Sequence, residues 1–302
     1  MKIFARWGAA CLTALIAASA WAAPVGIAAG QPTGTNYPMA QDISKVCSTN
    51  ASPINVVTTD GGLDNVFKVY GDKSSQYGIV PVDALVYQKG QDPKMMQNIV
   101  MVFPFFSVEV HIVAKNGSPI NSLADLAGKR VIEGPEGSGT WVTVQVLKAL
   151  TGIKWQGFYA SQKEGFDSVM RGQADAEFIV AGKPIKLLQQ SQGFKLVPVK
   201  HPALDGFKLY RKTLIDSGTY PGQASSVQTI KVDNVLVTYA YKAQYQKEIG
   251  DLVSCITRNL DNLQTGKDFH PKWKDVDPLD ITRIDWAAHQ AAVAAIKRET
   301  RR

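Results

Sequence analysis

Three cysteines and four histidines in 302 residues leave little material for metal or redox chemistry. His111, His201, His270 and His289 lie far apart, no pair has metal-ligand spacing, and no Cys-x-x-Cys pair occurs. The glycine loop at 134–140 lacks the Gly-Lys-Ser/Thr end of a P-loop, and Ser138 stands outside any Gly-x-Ser-x-Gly elbow. No Ser-His-Asp order and no paired carboxylates mark acid–base work, so an enzyme has no positive support and no catalytic residue is assigned. Aromatic-plus-basic motifs for RNA or DNA are missing, as are internal repeats and low-complexity segments. No cofactor, metal or nucleic acid is expected.

Long apolar runs are also lacking, with one short exception at the start. Lys2 and Arg6 precede the run Cys11–Ala20, and Ala20-Trp21-Ala22 has the small-x-small pattern of a signal-peptidase site. Residues 1–22 therefore read as an export signal cleaved near Ala22 or Ala23, its apolar core too short to span a bilayer. Cys11 leaves with it. Two cysteines remain, Cys47 and Cys255, in a compartment where disulfides persist; a bridge and two buried thiols are both open. The net charge falls from +7 to +5 with the loss of Lys2 and Arg6. In an exported chain that excess suits anions or a membrane surface. About 280 residues remain, enough for two lobes or domains.

What is present is a repeated strand, glycine loop and helix start. Val25–Ala29 runs into Gly30–Pro38 and a helical pattern with Met39, Ile43, Val46 and Cys47 on one face. Ile54–Thr58 leads through Thr59-Asp60-Gly61-Gly62 to the stripe Leu63, Val66, Phe67 and Tyr70. Tyr77–Val80 is the next strand, with Asp83 as a cap. Ile99–Phe106 and Val108–Ala114 read as two apolar strands, the second carrying Glu109 and His111, the histidine in a structural role. Ser122–Asp125 and Ser161–Glu164 read as capping boxes. Strands alternating with helices imply a mainly parallel α/β sheet, with ligands beyond the carboxyl ends of its strands.

The stretch Val131–Gly152 organises the rest. An apolar run passes through Gly134, Gly137, Ser138, Gly139 and Thr140 and ends in a segment closed by Gly152. A helix starting there would offer backbone amides and its positive dipole end to an anion. Trp141–Val146 is β-branched and alternating, so strand and helix are both open by pattern. Ala174–Val180 is a later strand, and Ala181-Gly182-Lys183 at its end could add positive charge. Gln228–Ala240 reads as one or two strands, Ile249–Leu260 as a helix with Cys255 at its edge, and Lys297–Arg302 as a solvated tail.

Several of these loops, in this order, resemble a known family. GQPTGTNYP (Gly30–Pro38), TTDGGLDN (Thr58–Asn65), YGIVPVDAL (Tyr77–Leu85), FPFFSVEVHIVA (Phe103–Ala114), SLADLAGKRVIEGPEGSGT (Ser122–Thr140) and GQADAEFIVAGKP (Gly172–Pro184) make the chain similar to TAXI-type solute receptors. These are the extracytoplasmic binding proteins of one branch of TRAP transporters. The resemblance implies a type II periplasmic-binding-protein fold, two α/β lobes joined by crossing hinge strands and closing on a ligand. The lobes would fall at 23–112, 113–209 and, returning to lobe 1 with the C-terminal helices, 210–302. The crossings would lie near Val110–Ala114 and Lys208–Thr229.

The resemblance further implies a periplasmic receptor for a small anionic or zwitterionic solute, a glutamate/glutamine-like amino acid or dicarboxylate, delivered to a TRAP-type permease. Thr33, Thr35 and Tyr37 would contact it from lobe 1, joined by Thr59 and Asp60. Ser138, Gly139 and Thr140 would hold a carboxylate from lobe 2, with Ala181 and Gly182 on the far side and Lys183 as a charge partner. The final helices of this fold return to lobe 1, which would bridge Cys47 to Cys255. The chain departs from relatives at Val80-Pro81-Val82-Asp83, where Gln-Ser usually precedes the Asp. A ligand-presenting sensor subunit, and an exported enzyme using Asp60, His111 or Lys183, are the alternatives.

Overall fold

The computed structural model describes residues 24–71, 74–241 and 245–301. Residues 1–22, read as the signal, lie outside them. Ten strands form one sheet: β1 (Val25–Gly30), β2 (Ile54–Thr58), β3 (Tyr77–Pro81), β4 (Ile99–Lys115), β5 (Arg130–Ile132), β6 (Gln156–Phe158), β7 (Ala176–Ala181), β8 (Phe194–Val197), β9 (Arg211–Ile215) and β10 (Val227–Tyr239). The helices are α1 (Asn36–Cys47), α2 (Leu63–Tyr70), α3 (Val82–Gln91), α4 (Pro93–Met96), α5 (Gly139–Thr151), α6 (Gln162–Met170), α7 (Lys186–Gln189), α8 (Gln246–Arg258), α9 (Leu260–Thr265) and α10 (Gln290–Glu299).

The strand order β2-β1-β3-β10-β4-β7-β5-β6 divides at its centre. On one side β1 pairs parallel with β2 and β3, and β10 runs antiparallel between β3 and β4. On the other, β7 pairs antiparallel with β4 and parallel with β5, and β5 pairs parallel with β6. Two α/β lobes result, joined by β4 and β10. The change of partner falls at Glu109, which faces Lys231 of β10 and Ala181 of β7.

The two apolar runs read at 99–106 and 108–114 are one 17-residue strand, buried almost throughout. A central strand covered on both faces needs no alternation, which is why it reads as a continuous apolar block. Trp141–Val146 is helical: Ser138 caps α5 by accepting from the Trp141 amide at 3.2 Å, and Gly152 ends it in the left-handed region at φ 70°. Ser161–Glu164 forms the expected capping box. Ser122 does not. Its hydroxyl makes no cap bond, a four-residue 3₁₀ turn follows, and the Asp125 carboxylate instead accepts from the Asn121 amide at 2.9 Å.

After β10 the chain returns to lobe 1. The Asp42 carboxylate of α1 accepts from the Trp273 indole (2.8 Å) and the His270 amide (2.9 Å), and Ala288 bridges to Met101 of β4. Cys47 of α1 and Cys255 of α8 are disulfide-bonded, with Cα atoms 5.8 Å apart, as expected. Of the segment read as a solvated tail, Lys297–Glu299 is the last turn of α10, and the buried Glu299 carboxylate takes Arg258 and Arg298.

Candidate functional site

A cleft of about 90 Å³ opens where the lobes meet, at the carboxyl ends of β1, β2, β3 and β7. That is room for a handful of waters or one small solute. Lobe 1 lines it with Gln31, Gly34, Thr35, Asn36, Asp60, Gly61, Gly62 and Pro81; lobe 2 adds Pro135, Ser138, Gly139, Thr140, Gln162, Val180 and Ala181, and the crossing strands add Val108 and Asn234.

The start of α5 projects into this cleft. Its first amides, on Gly139 and Thr140, have no partner within the helix, and the dipole adds positive potential there. Ser138 and Thr140 are buried beside them; the Thr140 hydroxyl accepts from the Val180 amide at 3.0 Å, fixing the helix start against β7. Gly134 and Gly137, at φ 78° and 77°, let the loop turn tightly enough to bring these groups together. Gly62 answers from lobe 1. A Cβ on it would lie 2.4 Å from the Gly139 nitrogen, so only glycine lets the loops approach this closely.

The arrangement is closed. The Leu63 amide donates across the cleft to the Gly137 carbonyl at 2.9 Å, and the Thr35 hydroxyl to the Gly182 carbonyl at 3.0 Å. Among the described lining residues Asp60 is the one charged side chain, and it accepts from the Gln31 amide at 2.9 Å. Beneath the cleft floor a buried pair closes on the crossing point. Lys272 Nζ lies 2.7 Å from Glu109 Oε1, and the Lys183 backbone amide donates to Glu109 Oε2 at 2.8 Å.

The structure thus brings Thr35, Asp60, Ser138, Gly139, Thr140 and Ala181 to one cavity. Gly182 stands just behind, its carbonyl taken by Thr35. Thr33 is exposed outside the lining, and Tyr37 packs against the core. Thr59 is committed internally: its hydroxyl accepts from the Gly30 (2.8 Å) and Gly61 (3.1 Å) amides and donates to Asn65, shaping two loops. The Lys183 ammonium is held by Asp216 (2.8 Å) and the Leu214 carbonyl (2.6 Å), not directed into the cleft. His111 is satisfied and buried, Nδ1 on the Glu109 carbonyl and Nε2 on the Tyr220 hydroxyl, and burial lowers its pKa to about 4.

Three amides went unread in the sequence. Asn36, Gln162 and Asn234 all face the cavity; Asn234 donates to Asn36 at 2.7 Å, while Asn234 Oδ1 and Gln162 Oε1 are buried without a protein partner. A signal existed for Asn234, an amide set directly before the apolar run Val235–Val237 of its strand. Gln162 follows a capping serine and carries no pattern of its own.

The family model of the NMT1-like family matches residues 27–292. The chain belongs to the NMT1-like family. Among solved structures, an NMT1-like chain of this shape is similar to an amino acid ABC transporter substrate-binding protein from Streptococcus pneumoniae bound to L-arginine. That match has 9% identity and a TM-score of 0.53, covering 84% of this chain and 96% of that one. A putative L-cystine ABC transporter protein from Listeria monocytogenes matches at 13% identity and TM-score 0.52 over 84% and 98%. The substrate-binding protein of another amino acid ABC transporter matches at 10% and 0.51 over 80% and 94%. At these identities the likeness is one of fold: the type II periplasmic-binding-protein architecture.

Proposed function

We propose that the chain is an extracytoplasmic solute receptor of TAXI type, which captures a small carboxylate-bearing solute by lobe closure and hands it to a TRAP-type permease. The observation that carries this reading is the start of α5 facing two glycine loops of the opposite lobe across a cavity of solute size. A carboxylate would sit on the Gly139 and Thr140 amides with the Ser138 hydroxyl, and Thr35, Asp60 and Ala181 would surround the remainder. The permease class and periplasmic location rest on the resemblance of the loops and on the signal-like residues 1–22.

The donor set favours an amino acid over a dicarboxylate. No lysine or arginine is among the described lining residues, so a second carboxylate would lack a cation, and Asp60 would repel it. The free oxygens of Asn234 and Gln162 instead suit a ligand with N–H groups.

The test is thermal unfolding of residues 23–302, stripped of ligand by unfolding and refolding, against amino acids and dicarboxylates. A ligand at 100 times its dissociation constant adds about 2.7 kcal/mol. One amino acid is expected to raise the midpoint, and Ser138→Ala to weaken it about tenfold, without product by mass spectrometry. Indifference to every carboxylate would sink the assignment.

A further inference from the structure

Asp83, which the sequence pattern makes a helix cap, is buried in a different role. It is the second residue of α3 in lobe 1, 1% exposed. Its Oδ1 accepts from the neighbouring Ala84 amide at 2.9 Å. Its Oδ2 accepts two hydroxyls from distant chain: Thr143 of α5 at 2.7 Å and Tyr210, which precedes β9, at 2.9 Å. Thr143 is fully buried and Tyr210 nearly so. Tyr87 and Trp141 extend the same α3–α5 contact, their rings edge to face at 5.8 Å. At the other end of this contact Pro81 and Gly139 meet at the cleft, where a Cβ on Gly139 would lie 3.2 Å from Pro81 Cγ.

We propose that Asp83 is the closure latch of the two lobes: a positioning residue that never touches ligand but fastens the start of α5 over the cleft through Thr143 and Tyr210. Thr143 lies one helical turn behind Gly139, so holding it sets where the cleft-facing amides point. Tyr210 stands beside the crossing point, where Arg211 faces Lys231 of β10; separation of the lobes would withdraw Thr143 from the carboxylate and open it to water. Closing exchanges hydration for the Thr143 hydroxyl bond beside those of Tyr210 and Ala84, an exchange near balance. A latch near balance suits a closure that must also reopen. Burial raises the Asp83 pKa while the Thr143 and Tyr210 hydroxyls oppose the shift, the pattern of a carboxylate that gives up water to dock. The latch requires only the two-lobe fold and stands apart from the ligand assignment.

Spin labels at exposed Lys94 and Lys163, each replaced by cysteine while the native cysteines stay bridged, report the distance between lobes. Distances are measured in free protein and with saturating L-glutamine. Thr143→Val/Tyr210→Phe and Asp83→Ala are expected to shift population to the longer distance in at least one condition. Asp83→Asn, which keeps an acceptor oxygen, is expected to restore much of the short one. Distributions that superimpose on wild type in both conditions would overturn the latch, even if the variants melt earlier, since a purely structural role predicts that result. Failure of L-glutamine to act on wild type would exclude that amino acid as the ligand, and the free-protein distances would still decide the latch.

Discussion

His111 and Lys272 both lie within reach of Glu109 and differ in what burial does to them. The imidazole is neutral, its protonated Nδ1 on the Glu109 carbonyl and its Nε2 accepting from Tyr220. Burial lowers its pKa to about 4, and burial followed by the Lys272 charge does the same for His270. A folded pKa below the unfolded value near 6.5 means that this stabilisation is full above pH 6.5 and is lost as pH falls toward 4. Ring NMR titration should therefore find both histidines neutral at pH 5.5. Wild type should lose more unfolding free energy than His111→Gln between pH 6.5 and 4, with roughly 3 kcal/mol as the ceiling. Lys272, 2% exposed, is paired with Glu109 and Asp275, each at 2.7 Å. Lys272→Met leaves the Glu109 carboxylate buried against a methyl, and a loss of about 3–5 kcal/mol is expected in urea unfolding. At this scale the sequence was partly legible. Ser138 and Thr140 announced themselves by standing where a strand turns into a helix. Thr59 did not reveal that its hydroxyl would be consumed by Gly30, Gly61 and Asn65, because those partners meet only after folding.

Among the elements, α5 and the Gly61–Gly62 turn carry the site jointly. Gly62 has φ 50°, and its contact with Gly139 leaves no space for a methyl. Gly62→Ala should cost about 1–3 kcal/mol in local strain. Its larger effect should be on closure: the lobes are held apart, and affinity for the ligand found by the unfolding screen drops more than tenfold by calorimetry. An unchanged affinity would mean that the turn is not part of the closed cleft. The helical state of α5 was open in the sequence because Val142, Thr143, Val144 and Val146 suit a strand equally well. The Ser138 cap, the Gly152 terminus and the packing of Val142, Val144 and Leu147 into the core decided it. Asp83 misled for a related reason. A carboxylate in a first turn is usually solvated, and only the fold brings Thr143 and Tyr210 from 60 and 127 residues away to bury it.

The whole molecule is tied by links between its two ends. The Cys47–Cys255 bridge spans 208 residues of sequence. Loop-closure entropy for so long a span gives about 5 kcal/mol as the stabilisation to be lost. The Cys47→Ser/Cys255→Ser protein should therefore melt several degrees lower in calorimetry while retaining ligand closure. The alternation of strands and helices made the parallel α/β class legible, but no local pattern could show that β10 would lie between β3 and β4. That placement has a consequence for the growing chain. Strands β4 to β8 follow one another and the lobe 2 core takes in Ile215 and Tyr220, so lobe 2 can assemble once residue 220 has been synthesised, whereas lobe 1 waits for a strand that begins at Val227. Until then β3 has a bare edge, a template for pairing with other chains. The first lobe to be started is thus the last to be finished, and a nascent chain halted before Val227 should show protease resistance in lobe 2 alone.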